Sequence, residues 1–188
     1  MSITSEEQWI AQAKIDAQAF GMLYRHYVER IYAYHYRHTS NHQDAEDLTS
    51  KTFHRALCSI RAYREQPGAS FQAWLYRIAH NLVANWYRDN SRHPVTSIEN
   101  ALVLHSDAPS LEHDVEAHES RIALLDAISK LPEERKTLII LKFVNHLSNA
   151  EIAAVLGKTE GAIKALYHRT LLGLKKALPG GVWDDATS

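Results

Sequence analysis

Lys164 and His168 recur at helical spacing, with the small residues Gly161 and Ala165 and the polar residue Glu160 on the same side. A helix face that is small and polar near its start suits entry into a DNA major groove, where side chains meet base edges and cations meet phosphates. From Lys158 to Lys176 there are five Lys or Arg and one acid, so this element is locally basic in a chain of net charge −1. A second constellation, Trp74, Arg77, Asn81, Asn85 and Arg88, also follows a helical stripe. Aromatic rings interleaved with arginines and amides suit unpaired bases, whose stacking contributes on the order of 1–3 kcal/mol each. The alternative for Trp74, Trp86 and Tyr87 is burial in a core, where aromatics of small bundles usually lie. A third group is acidic: Asp44, Glu46 and Asp47 precede apolar Leu48, Phe53 and Leu57. Acids near a helix N-terminus also favour the macrodipole, which accounts for part of that pattern.

The elements that must hold these residues are all helical. Three long helical patterns run over 16–39, 43–63 and 70–90, and two more over 112–130 and 132–146. The stretch 147–172 then reads as a helix-turn-helix. Ser148 can cap the first helix with Glu151 three residues on, Ile152, Val155 and Leu156 give it an apolar side, and Gly157 supplies the turn. Thr159 can cap the second helix, whose buried stripe is expected to be Ile163, Leu166, Tyr167 and Leu171. On the helix before the linker, Phe71, Leu75, Ile78 and Leu82 form the expected core stripe.

No alternating strand pattern persists. The expected fold is therefore all-α: two small helical domains joined by a linker, the C-terminal one a helix-turn-helix. The expected units are an N-terminal domain over 1–92, a linker over 93–118, a C-terminal domain over 119–178 and a frayed tail over 179–188. The linker is acidic, with six acids and no Lys or Arg from Glu99 to Glu119, while Arg61 to Arg92 carries five arginines against Glu65 and Asp89.

Composition excludes several classes. A length of 188 residues with 45% hydrophobic content is enough for real cores. The one cysteine, Cys58, lies in an apolar helical pattern and is expected in the core; a lone cysteine forms no internal disulfide, which fits a reducing compartment. No apolar run approaches the roughly 20 residues of a membrane span, and MSITSEEQWI lacks a signal peptide's basic start and apolar centre. A cytoplasmic protein without membrane insertion is expected. Near-zero net charge argues against a histone-like binder that coats DNA.

Twelve histidines raise metal chemistry, with His35, His38 and His42 on one helical face and His113, Asp114 and His118 as a second group. Neither an HExxH nor a paired-cysteine motif accompanies them, so no metal, cofactor, catalytic residue or small-molecule substrate is assigned.

Taken together, DAEDLTSKTFHRAL, WLYRIAHNLVANWYR and LPEERKTLIILKFVNHLSNAEIAAVLGKTEGAIKALYHRTLLGLKKAL resemble the two modules of extracytoplasmic-function sigma factors, the small members of the sigma-70 family. The likeness spans most of Phe20 to Leu178, in the family's order. The resemblance implies a non-enzymatic subunit that binds core RNA polymerase and directs it to promoter DNA. It implies polymerase contacts by Asp44, Glu46, Asp47, Leu48, Ser50 and Phe53. Recognition and opening of the −10 element would fall to Tyr63, Ser70, Phe71, Trp74, Arg77, Asn81 and Arg88. Reading of the −35 element would fall to Thr159, Glu160, Gly161, Lys164, Ala165, His168 and Arg169. An anti-sigma factor is a further implied partner, and the acidic linker resembles the segment that threads the polymerase RNA-exit path. Ser50 and Lys51 depart from the glutamine and acid that many relatives carry, and IKALYHRT departs from their usual recognition helix. The competing reading is a helix-turn-helix regulator that acts without polymerase, for which neither a dimerisation helix nor a receiver domain is evident.

Overall fold

A computed structural model describes residues 5–90 and 115–178, with side chains described for 5–89 and 122–178. The described residues form eight α-helices: α1 Ser5–Ile15, α2 Phe20–Thr39, α3 His42–Ser59, α4 Phe71–Asn90, α5 Val115–Ser129, α6 Glu133–Ile139, α7 Asn149–Leu156 and α8 Glu160–Ala177. A 3-10 turn over Ala17–Ala19 leads into α2, and another over Ile60–Ala62 follows α3. A π turn over Ile140–Val144 extends α6. The all-α class and the helix-turn-helix agree with the sequence. Helix α1 lies ahead of the first helical pattern read there, because its apolar residues form no clear stripe. Most of the acidic linker, His113 and Asp114, and the 179–188 tail lie outside the described residues.

Local chemistry sets the helix ends. Asn41 caps α3 by accepting the Asp44 amide at 3.1 Å, and Ser40 before it turns the chain in a left-handed conformation, φ 50°. Ser70 caps α4 by accepting the Ala73 amide at 3.2 Å. Ahead of it the chain doubles back at Gly68, φ 78°, where an added Cβ would sit 3.4 Å from Ala150 of α7. The position thus favours glycine for its backbone conformation, and it lies in contact with α7.

The core crosses the expected domain boundary. Leu23, Tyr27, Ile31, Tyr34, Leu75 and Tyr76 of the N-terminal helices join Leu138, Leu141, Ile152 and Ile163 of the C-terminal ones in one buried cluster. A smaller cluster, Ala127, Ile128, Ile139, Leu174 and Leu178, ties α5 to α6 and α8. The two modules are packed directly on one another, mainly α4 against α7. Polar contacts complete that junction. Gln72 donates to the Asn145 carbonyl at 2.9 Å, the buried Tyr76 hydroxyl donates to the Asn145 side-chain oxygen, and His38 lies 3.8 Å from Glu133.

Three expected placements are corrected. Cys58 is exposed, since Ala56 and Ile60 turn α3's apolar side inward and leave position 58 outside. The α8 stripe differs too: Tyr167 and Leu171 are only half-buried, and Thr170 and Leu174 complete the stripe begun by Ile163 and Leu166. Ile78 of α4 is likewise half-buried, with Ala79 and Val83 filling the core beside Leu75 and Leu82.

Candidate nucleic-acid interface

The helix-turn-helix is fixed by its caps. The Ser148 hydroxyl accepts the Glu151 amide at 3.2 Å, and the Glu151 carboxylate accepts the Ser148 amide at 2.8 Å, a complete capping box. Gly157 ends α7 with φ 65°, and Thr159 starts α8 by accepting the Ala162 amide at 3.2 Å. Thr159, Glu160, Gly161, Lys164, Ala165, His168 and Arg169 are all exposed. Nothing lies within 4 Å of a Cβ added at Gly161, so the fold itself does not ask for glycine there. Lys164 pairs with Glu160 at 2.8 Å, and Lys158 pairs with Glu134 at the same distance. Both pairs are solvent-exposed and so are weak enough to exchange for phosphate.

Around the start of α4 a cleft of about 340 Å³ is lined by Tyr63, Arg64, Ser70, Trp74 and Arg77, with Ala154 of α7 at its edge. Trp74 is half-buried, its ring 5.0 Å from Tyr63 and 5.2 Å from Phe71. Tyr63 and Phe71 themselves are core residues, and Lys14 lies over the Tyr63 ring at 5.2 Å. Burial pushes the Tyr63 phenol up to about 12, so it stays a neutral donor. Arg77, Asn81 and Arg88 are exposed along α4, and Arg88 donates to Asn85. Arg64 ties the preceding loop by donating to the Arg61 and Tyr63 carbonyls at 2.8 and 2.9 Å. The Ser70 hydroxyl donates to Glu151, which lays α7 across this loop.

On α3, Glu46, Asp47 and Ser50 are exposed and Asp44 half-buried, while Leu48 and Phe53 face inward. A groove of about 920 Å³ runs between α2 and α3, with Glu46, Ser50, Phe53 and Leu57 on one wall and Tyr24, Val28 and Tyr32 on the other. The α2 wall escaped the sequence reading. Its signal is there in Tyr24, Val28 and Tyr32 at four-residue spacing, but α2 is apolar on two sides, and the stripe merges with the core one.

His35 and His38 serve the core. His35 Nε2 meets the Thr52 hydroxyl at 2.9 Å, and burial lowers its pKa to about 3. Burial also lowers His38, against the opposing pull of Glu133. Glu133 is held at about 2, because contacts with His38, Lys136 and Tyr87 outweigh its own burial. His42 instead meets the Tyr32 hydroxyl at 2.5 Å. Among the described residues no three His, Cys, Asp or Glu side chains gather as metal ligands, and no helix is long and apolar enough to cross a membrane.

Residues 23–93 match the sequence profile of sigma-70 region 2, and residues 121–172 that of sigma-70 region 4. The chain is 40% identical over 171 residues to the ECF RNA polymerase sigma factor BldN of Streptomyces coelicolor, covering 91% of this chain and 63% of BldN. It is 34% identical over 159 residues to the RNA polymerase sigma factor YlaC of Bacillus subtilis, covering 82% of this chain and 88% of YlaC. In fold it is similar to the sigma factor RpoE of Bartonella quintana, solved with the anti-sigma factor NepR, with a TM-score of 0.63 at 22% identity over 84% of this chain and 95% of that one. With region 2 and region 4 matched in that order, and with the ECF RNA polymerase sigma factor SigW of Bacillus subtilis 32% identical over 88% of this chain and 91% of SigW, the chain belongs to the extracytoplasmic-function group of the sigma-70 family of bacterial RNA polymerase sigma factors.

Proposed function

We propose that the chain works as a promoter-specific initiation subunit whose helices divide the labour. The acidic start of α3, with the groove it shares with α2, docks on core polymerase. The loop before α4 and the outward side of that helix hold the opened −10 strand, and α8 reads the −35 element. The observation that carries this reading is the α8 face, where every assigned residue is exposed, locally basic, and arranged around a glycine that the fold does not require. None of this needs a catalytic group. The protein has only to bind an unpaired strand better than the duplex, so that melting becomes a population shift, and polymerase supplies the chemistry.

Packing of α7 against the α4 loop supports a second element of the proposal: the free chain binds promoter DNA weakly. Ser70 is engaged by Glu151 and Ala154 edges the Trp74 cleft, so the melting surface is partly covered until the modules part. Action in the cytoplasm follows from action on polymerase. An anti-sigma factor is an expected partner, since the Bartonella RpoE structure contains one. The regulator that works without polymerase is not favoured by relatives named as polymerase subunits.

Run-off transcription with purified core on genomic fragments tests the reading. Defined starts that appear only when the chain is added are expected, together with co-purification of the chain with core. Identical initiation with and without it would end the proposal, as would tight sequence-specific binding of the free chain to duplex DNA.

A further inference from the structure

Between α2 and the turn after α6 lies a cleft of about 740 Å³ for which promoter recognition has no use. Arg30 and Arg37 line it from α2, Gln72 from α4, and Phe143 and His146 from the turn. Arg37 is the anomaly. It is 4% exposed, its Nε has no hydrogen-bond partner, and it makes no ion pair or hydrogen bond among the described residues. A guanidinium whose Nε is shut off from water without a partner is disfavoured unless an anion meets the group, and its planar fork matches carboxylate or phosphate oxygens. Burial draws its pKa below the ordinary arginine range.

The surroundings select the anion. Arg30 and His146 are exposed at the rim, and Glu29 is the one carboxylate lining the cleft. His146 is held in a left-handed conformation, φ 56°. Two arginines against one carboxylate leave the cleft net positive, which favours an anionic ligand. Phe143, 51% exposed, offers a flat apolar face within the same cleft. The volume falls within the ~300–1,000 Å³ usual for small-ligand sites.

We propose that this cleft binds a small phosphate-bearing anion, with Arg37 as its main ligand and Arg30 and His146 closing over it. Such a ligand touches both modules at once. By linkage it stabilises their packed arrangement and opposes exposure of the α4 loop.

The test uses the full chain without polymerase, so its outcome is independent of the promoter-reading proposal. Thermal shift and calorimetric titration are run with inorganic pyrophosphate, ADP, adenosine and a short duplex at matched ionic strength. Saturable binding of pyrophosphate or ADP with a raised melting temperature is expected, and none with adenosine. Arg30→Ala and His146→Ala, both at exposed positions, should each weaken that binding about tenfold, which is about 1.4 kcal/mol. Arg37→Met should abolish it while leaving the unliganded protein at least as stable, because an unpaired buried charge is removed. Phe143→Ala distinguishes the sources: loss of ADP binding alone marks a nucleotide, and equal loss of neither marks the phosphate itself. Absence of pyrophosphate and ADP binding overturns the proposal. So does an unchanged ligand response in Arg37→Met, or stabilisation by duplex alone, which would make the cleft a nucleic-acid contact.

Discussion

Trp74 meets both of its readings halfway. Its ring leans on Tyr63 and Phe71, yet it stays half-buried beside Arg77. Trp74→Ala should therefore cost about 1–2 kcal/mol, below the ~3–5 of a fully buried aromatic, and should still lower open-complex formation. Urea melts and permanganate reactivity of the promoter measure the two effects separately. Lys164 is the opposite case. Its exposed pair with Glu160 contributes under ~0.5 kcal/mol, so Lys164→Ala should melt like the parent chain. Promoter binding by the polymerase complex should nonetheless weaken, with a salt slope reduced by about one. Residue-scale legibility in the sequence was uneven for one reason. Lys164 and His168 on α8 have only solvent to face, so they read correctly as exposed, whereas buried Thr170 hides its hydroxyl on the Leu166 carbonyl. Apolar and sulfur side chains on α3 could turn either way, and spacing alone put Cys58 inside and left Leu57 without a side.

Helices were easier to read than their surroundings wherever a cap announced them. Ser148, Glu151, Gly157 and Thr159 each do in the structure what their type and position imply. Ser148→Ala should cost about 1 kcal/mol, seen as a lower melting temperature. Helix α2 was legible as a helix but not as the carrier of buried histidines, because burial of a polar ring leaves no periodic trace. Those rings set a pH dependence. His35 falls to about 3 in the folded chain against an ordinary 6.5, and His38 is lowered too. The unfolded chain therefore takes up protons first as pH drops. Stability is full above about 6.5 and declines below it, by up to about 1.4 kcal/mol per pH unit for each such histidine. Glu133, held at about 2 against 4.5, adds a loss only below about 4.5. Urea midpoints at pH 7 and pH 5 should already differ, and His35→Leu should lessen the difference.

At the level of the whole molecule, two helical modules were legible, and their packing was not. Gln72, Tyr76 and Asn145 carry the junction, and polar residues that meet across about seventy positions of chain look like solvated ones in sequence. Tyr76 is fully buried, and burial keeps its phenol neutral, so that it can donate to Asn145. Tyr76→Phe should leave that oxygen unsatisfied at a cost of about 1–2 kcal/mol. Looser modules should follow, visible as a larger radius of gyration in solution scattering and as tighter binding of a single-stranded −10 oligonucleotide. An unchanged radius with unchanged oligonucleotide affinity would mean that the junction does not restrain the α4 loop.

The open space around Gly161 reaches beyond this one chain. Because no core residue leans on that position, and Glu160, Lys164, Ala165 and His168 also point outward, mutations there can accumulate without unfolding the protein. Duplicated copies could drift toward different start sites by trial at these few surface codons, and a combinatorial library over them should yield folded variants with new DNA preferences rather than aggregates.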